Sequence, residues 1–403
     1  MTVSATLTPS RTLSFAFVLV TSLFFMWGFS YGLLDVLNKH FQDTLGVTKA
    51  RSALLQTAYF GAYFVMALPA AELAARRGYK ATILLGLALF AGGALLIIPA
   101  TLAHNFMLFL VPFFIIASGL GCLETAANPY ATQLGDPARG AQRLNLSQIF
   151  NGLGQAAGPW IGGMVVFAAT ASTGDGDPVR YLYVALAVVV LALAVVFFFT
   201  PMPEPKVERM PDAGHGLLAE RHFVWGVVAQ FFYVAAQVGV GAFFINYATE
   251  HDATLTTARA SAIFSYGFML FMAGRFVGTL LMTWIAPRKL LTLYAAINVA
   301  LCLVVVAAIP GVSLHALLAL FFFMSIMFPT IFALAVQGLG PRTKRASSFL
   351  IMSIVGGALI PVVMGWIGDH AGMAAGYWVP TACFAVVLLY AWKFAAPVSS
   401  RSP

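Results

Sequence analysis

Two carboxylates and a set of amides stand in this sequence where polar groups are costly, and their spacing makes them the first candidates for chemistry. Asp35 lies near the end of the apolar run LSFAFVLVTSLFFMWGFSYGLLDVL, and Glu124 lies inside FLVPFFIIASGLGCLETAANPY. An acid at the centre of a bilayer costs about 2.5–3.5 kcal/mol or more, so such residues face a bundle interior or a water-filled path, where they bind or relay charge. Glu124 and Asn128 are one helical turn apart and share a face. Pro129 removes a backbone donor beside them and is expected to loosen the helix. Asn145, Gln148 and Asn151 recur every three residues, and Gln230, Tyr233 and Gln237 follow an i, i+3, i+7 pattern. Amides and a phenol offer donors and acceptors to a hydroxylated ligand without demanding charge from it, which suits a sugar. The same residues serve equally as interhelical glue, worth about 0.6–2 kcal/mol each. Trp27, with Phe24 and Phe25, either stacks on a sugar ring or packs as a span aromatic.

The elements that must position these residues are membrane helices. The chain has 403 residues, 61% of them hydrophobic and 9% charged, with a mean hydropathy of +0.89, outside the range of soluble globular proteins. Long apolar runs with short polar punctuation predict an all-α integral membrane protein and exclude the ten-residue alternation of a membrane β-barrel. Twelve spans are expected, over 13–38, 53–75, 81–100, 105–131, 145–169, 181–200, 223–248, 261–284, 290–309, 313–337, 346–367 and 377–396. The first follows Arg11, is too long for a signal-peptide core and precedes no small-residue cleavage site, so it is expected to be retained. An even count puts both termini on one side. Sixteen of the 22 Lys and Arg residues fall on that side and five on the other, so the positive-inside rule makes both termini cytoplasmic. The formal charge of +8 is scattered through short loops and forms no nucleic-acid patch.

The Pro- and charge-rich stretch TPMPEPKVERMPDAGHGLLAER divides the chain. The expected domains are a tail (1–12), a six-helix half (13–200), a cytoplasmic linker (201–221), a second six-helix half (222–396) and a tail (397–403). Residues 134–163 resemble residues 339–369 across that linker, each ending in Trp-Ile-Gly, at Trp160 and Trp366. Two repeats with a site at their interface describe a secondary transporter. Gly154, Gly158 and Gly162 permit close helix approach. Arg275, deep in the eighth span, either binds an anion or satisfies helix ends near the cytoplasmic face. The basic turn AAELAARRGYK (70–80) reads as an orientation signal and a clamp on helix C-termini. Cys122, Cys302 and Cys383 show no paired spacing, so neither disulfides nor a thiolate metal site is expected. No HExxH, phosphate loop, dinucleotide fingerprint or serine elbow is present, so neither an enzyme nor an ATP-driven pump is expected.

The stretches FFMWGFSYGLLDVLNKHFQ (24–42), GLGCLETAANPYATQLG (119–135), RLNLSQIFNGLG (143–154), WGVVAQFFYVAAQ (225–237), AGRFVGTLL (273–281) and SSFLIMSIVGGALIPVVMGWIGD (347–369) resemble the fucose permease branch of the major facilitator superfamily. The likeness spans nearly the whole chain. It implies proton-coupled monosaccharide uptake across a bacterial inner membrane by two six-helix halves, with Asp35 and Glu124 serving proton coupling and sugar binding. Gln148, Asn151, Gln230, Tyr233 and Gln237 take matching polar positions. The implied partners are a sugar, protons as the coupling ion and the lipid bilayer, with no cofactor and no metal, the protein acting as a monomer. Gly32 and Leu34 leave the first span poorer in asparagine than that branch suggests. Asn246, which we also place in the binding set, stands where a basic residue is expected. Fucose, glucose, galactose, fructose and N-acetylglucosamine all fit this reading. An antiporter exporting drugs or sugars is the alternative, suggested by GQAAGPWIGG (154–163).

Overall fold

A computed structural model describes residues 10–134, 140–167, 177–202, 216–339 and 343–395. Most of the expected linker and both tails lie outside these residues. The first half contains α1 (Ser10–Leu45), the short α2 (Lys49–Ser52), α3 (Leu54–Leu102), α4 (Phe106–Gln133), α5 (Gly140–Gly162), extended by a π turn over Gly163–Phe167, and α6 (Pro178–Phe199). The second half contains α7 (Arg221–Ala242), α8 (Phe244–His251), α9 (Thr257–Leu281), α10 (Pro287–Val306), α11 (Ser313–Met324), α12 (Met327–Val336), α13 (Thr343–Met352), α14 (Gly356–Ala371), α15 (Met373–Gly376) and α16 (Trp378–Leu389). No strand occurs among the described residues.

Among the described residues ten segments are long and apolar enough to cross a bilayer, and one of them, Lys49–Leu102, has 54 residues. At about 1.5 Å per residue it would reach roughly 80 Å, far beyond a hydrocarbon layer of about 30 Å. It folds back at Gly78, whose φ of 86° and ψ of 172° lie in a region open essentially only to glycine. Spans two and three are therefore the two arms of α3. The polar α5 completes the twelve. Three spans of the second half are broken: the seventh between α7 and α8 at Phe243, the tenth between α11 and α12 at Ser325 and Ile326, and the eleventh at a 3-10 turn over Ser353–Val355. By contrast α4 runs unbroken through Pro112 and Pro129, so the loosening expected at Pro129 does not interrupt it.

Local chemistry fixes the helix ends. Asn105 and Asp177 cap α4 and α6 by accepting from Met107 N and Val179 N at 3.0 and 2.9 Å. The Lys80 ammonium donates to the carbonyls of Phe198 and Thr200 at 2.9 and 2.8 Å, closing the C-terminus of α6. Arg288 does the same in the second half, donating to Ala391 O at 2.9 Å and to Trp392 O. The expected clamp is thus real and occurs once per half.

Glycines set the α1–α5 distance. A methyl at Gly158 would stand 2.7 Å from Phe29 O and 2.8 Å from Leu33 N, so the two backbones touch only because no Cβ intervenes. Trp160 and Trp366, the ends of the two repeats, are both exposed, at 53% and 57%.

The halves meet along α1 and α7. Asn38 Nδ2 donates to Ala242 O at 2.6 Å, and Asn246 Nδ2 donates to Gln42 Oε1 at 2.5 Å, both across a separation of 204 residues. That separation nearly equals the repeat displacement, so helices related by the pseudo-two-fold axis touch at nearly equivalent positions. Flanking seams follow the same symmetry: Thr57 Oγ1 donates to Ala358 O at 2.5 Å, and Ser261 Oγ donates to Pro159 O at 2.6 Å. Beyond α1, Lys49 Nζ pairs with Glu250 at 2.6 Å. Asp369 accepts from Lys49 N and Ala50 N at 2.8 and 2.9 Å, and Glu250 accepts from Met373 N at 2.9 Å. These bonds latch the molecule at the end that holds the α1–α2 turn.

Candidate substrate and proton site

The sequence-derived acids sit at the inner faces of their helices but in different settings. Glu124, on α4, is half-buried and makes no hydrogen bond or ion pair among the described residues. Its charge reaches Tyr59 and Tyr63 of α3, so it points into the first half's interior and away from lipid. Asn128, one turn along, accepts from Gln148 Nε2 of α5 at 3.4 Å. Asn151 is more committed: it donates to Phe24 O of α1 at 3.1 Å and accepts from Gln155 Nε2 at 2.8 Å. The side chain of Asn145 lies outside the described residues. Trp27 is half-buried, its ring centroid 5.9 Å from that of Phe24.

Asp35 is 3% exposed. Gln56 Nε2 of α3 donates to its Oδ1 at 3.3 Å. Its Oδ2 has no partner and lies against α7 at Gly241, where an added methyl carbon would stand 2.8 Å away. Asp35 therefore sits at the contact between the halves, with Asn38 one turn beyond it in the same seam.

On the second half Gln230 is fully buried with both amide atoms unpartnered. The Tyr233 hydroxyl donates to Met324 O at 3.0 Å, and Arg275 Nε donates to Ser325 O at 3.4 Å, its guanidinium 4.9 Å from the Phe271 ring centre. Both side chains thus satisfy carbonyls freed by the break in the tenth span, which agrees with the helix-end reading of Arg275. Gln237 is half-buried and makes no hydrogen bond among the described residues, leaving its amide available. Asn246 is paired with Gln42 near the latch, away from the other amides of its half.

The sequence reading missed a polar stripe on α3. Gln56, Tyr59 and Tyr63 follow an i, i+3, i+7 pattern, a signal as good as those used on other spans. The Tyr59 and Tyr63 rings are 5.5 Å apart. It also missed Asn38 and Gln42, which continue the face of Asp35.

Taken together, spans one, two, four, five and seven carry amides, phenols and two acids on buried and half-buried faces of the bundle, with no cation paired to either acid among the described residues. Such a lining matches the hydroxyls of a neutral ligand and can hold exchangeable protons, and it supplies no nucleophile or metal set. Among the described residues no cluster of His, Cys, Asp and Glu could hold a metal ion.

A helical bundle of two pseudo-symmetric halves, with an acid at their contact and broken spans around it, defines a secondary transporter. The chain belongs to the Major Facilitator Superfamily, whose profile matches residues 15–353. It is a transporter and not an enzyme. It is 37% identical to the L-fucose-proton symporter of Escherichia coli strain K12, the match covering 95% of this chain and 93% of that one. It is also 37% identical to the glucose/galactose transporter of Brucella abortus biovar 1 strain 9-941, covering 93% of each chain. Among solved structures, the E. coli fucose:proton symporter superposes with a TM-score of 0.69 at 35% identity, covering 96% of this chain and 100% of that one. The inward-open xylose transporter of E. coli shares the fold at a TM-score of 0.75 and 12% identity, covering 97% and 98%.

Proposed function

We propose that this protein takes up a monosaccharide by proton symport, with fucose, glucose and galactose as the sugars to test first. The carrying observation is the pair of acids with no cation beside them among the described residues, buried Asp35 at the contact between the halves and half-buried Glu124 among neutral amides. Relatives named for fucose–proton symport and for glucose/galactose transport, each matched over nearly their full length, support the same reading. Glu124, Asn128, Gln148 and Gln237 offer the sugar its polar contacts, with Trp27 at the edge. Asp35 and Glu124 exchange the coupling proton. The protein lies as a monomer in a bacterial inner membrane with both termini cytoplasmic, so the latch at Lys49, Glu250 and Asp369 faces outward and the conformation described is sealed on the outer side.

The energetics are sufficient. One charge crossing 100 mV supplies about 2.3 kcal/mol, and tenfold accumulation requires about 1.4, so one proton supports roughly fiftyfold concentration of a neutral sugar. The test is uptake of labelled L-fucose, D-glucose and D-galactose into proteoliposomes with an alkaline lumen in acidic medium. Accumulation that collapses when a protonophore is added is expected. Equilibration without accumulation for every sugar, at every gradient, would overturn symport.

A further inference from the structure

Two glycines fix how the first span is turned about its axis. A methyl at Gly28 would collide with Asn151 O and one at Gly32 with Gln155 O, so this side of α1 lies on the backbone of α5. Trp27, Tyr31 and Asp35 form the neighbouring stripe, each one helical turn from the next. That stripe is turned toward the second half. Asp35 meets α7 at Gly241, and the Tyr31 ring lies edge-on to Phe268 of α9, with centroids 6.2 Å apart. On its other side Tyr31 lies edge-on to Phe60 of α3 at 6.1 Å. Phe264 and Phe321 back Phe268 at 4.9 and 5.7 Å, so the ring that Tyr31 meets across the halves is itself fixed.

The height of Tyr31 in the bundle follows from its neighbours on α3. Trp27 stands beside Tyr63, and Asp35 beside Gln56. Tyr31, midway along its stripe, therefore stands level with Tyr59, which Glu124 reaches from α4. Long side chains on a helix lean toward its N-terminus, so the Tyr31 ring covers the turn that carries Trp27. Its hydroxyl lies within electrostatic reach of Tyr233 on α7. The side chain is half-buried, and the hydroxyl makes no hydrogen bond among the described residues. An unengaged phenol thus stands where the two halves meet, over the level of Trp27 and Glu124.

We propose that Tyr31 is a specificity-determining residue of the sugar site, its ring roofing the pocket against the C–H face of a pyranose and its hydroxyl bonding one sugar hydroxyl. This rests on the reading of the Trp27–Glu124 level as a monosaccharide site. A pyranose has both surfaces such a place requires: hydroxyls for the acid and amides, and an apolar face for an aromatic ring. Gly32 leaves no room for a side chain on the α5 side of this turn, so the phenol is what the first span gives the sugar here. The roof is shared between the halves. When they part, Tyr31 keeps Phe60 and loses Phe268, and the sugar loses its cover on the side of the α1–α2 turn.

The experiment is calorimetric binding to the purified full-length protein. L-Fucose, D-glucose and D-galactose are titrated into the wild type, then the tightest of them and its singly deoxygenated analogues into wild type, Tyr31→Phe and Tyr31→Leu. Tyr31→Phe keeps the ring and should weaken the parent sugar about three- to tenfold, the equivalent of one neutral hydrogen bond. For one deoxygenated analogue that loss should vanish, wild type and variant binding it equally, because the same bond is already gone from the sugar. Tyr31→Leu should weaken the parent sugar about thirtyfold, ring face and hydroxyl together. A role in packing alone would lower the thermal midpoint of the sugar-free protein and weaken the parent and every analogue by one common factor. That result, or unchanged affinity in Tyr31→Phe, would overturn the proposal, and the Tyr31→Phe arm decides alone if Tyr31→Leu does not fold. If folded wild type binds none of the three sugars, the monosaccharide reading itself fails and the assignment of Tyr31 falls with it.

Discussion

Glu124 and Asp35 carry the same functional group, and their surroundings divide the work between them. Glu124 is half-buried and has no hydrogen-bond partner among the described residues, whereas Asp35 is enclosed beneath α7. Glu124→Gln, which mimics the protonated acid, should keep exchange between two sugar-filled compartments and lose uphill uptake driven by a pH gradient. Counterflow and gradient-driven assays on the same proteoliposomes check this, and accumulation by the variant would remove Glu124 from the coupling step. The amides separate in the same way. Asn151 is bound to Phe24 O and Gln155, so Asn151→Ala should lower the thermal midpoint through loss of glue. Gln237 is free, and Gln237→Ala should weaken sugar binding about tenfold, by about 1–2 kcal/mol, with little change in stability; calorimetry and a thermal-shift assay distinguish the two outcomes. From sequence these amides looked alike, because spacing reports a shared face and says nothing of whether a backbone carbonyl lies opposite. The two acids were legible for the opposite reason, since their cost in lipid does not depend on knowing a partner.

At the scale of the helix, hydropathy located all twelve spans to within a few residues but misjudged where α1 stops. The expected end at Asn38 follows from the polar run Asn38, Lys39, His40, Gln42 and Asp43, yet the helix continues to Leu45. Its polar residues divide between the seam, where Asn38 and Gln42 bond the other half, and the surface, where Lys39 pairs with Asp43 at 2.7 Å. The break at Ser325 lies one turn before Pro329, which has no N–H for the Ser325 carbonyl and crowds it, and the break at Phe243 follows Gly239 and Gly241, so both had a signal that the sequence reading passed over. They survive because tertiary donors, Tyr233 and Arg275 at the tenth span, satisfy the carbonyls they free. The bend at Gly78 is different, since its backbone geometry belongs to glycine. Gly78→Ala should cost about 1–3 kcal/mol, read as a lower unfolding midpoint in detergent, and an unchanged midpoint would show that the turn relaxes freely.

For the whole molecule, the latch at the α1–α2 end is three side chains joining four segments. Lys49 and the amides of α2 belong to one half, and Glu250 and Asp369 to the other. Asp369→Asn weakens two charge-assisted bonds at once and should shift the population toward a form open at the α1–α2 end, read as a longer distance between spin labels at Thr44→Cys and Ala253→Cys, two exposed positions. Lys49→Met should do the same. No change in either variant would mean that the α1–α7 seam alone holds this end closed. The repeat that made the two-half architecture legible also explains why the latch was not: its members lie on turns and helix ends, where the repeat is weakest and charges look like ordinary solvated punctuation.

The contacts across 204 residues have a consequence for how such a chain is inherited. Where a segment touches its near-counterpart, each copy is also the other's partner, and a change in one demands an answer from the other. Asn38 with Ala242, and Gln42 with Asn246, join the two sides much as a self-complementary surface would, though the two sides are no longer alike. Mutual recognition of the halves is therefore written into their faces and not into the tether between them. Two polypeptides produced separately, divided within 203–215, should find one another in the membrane and restore transport.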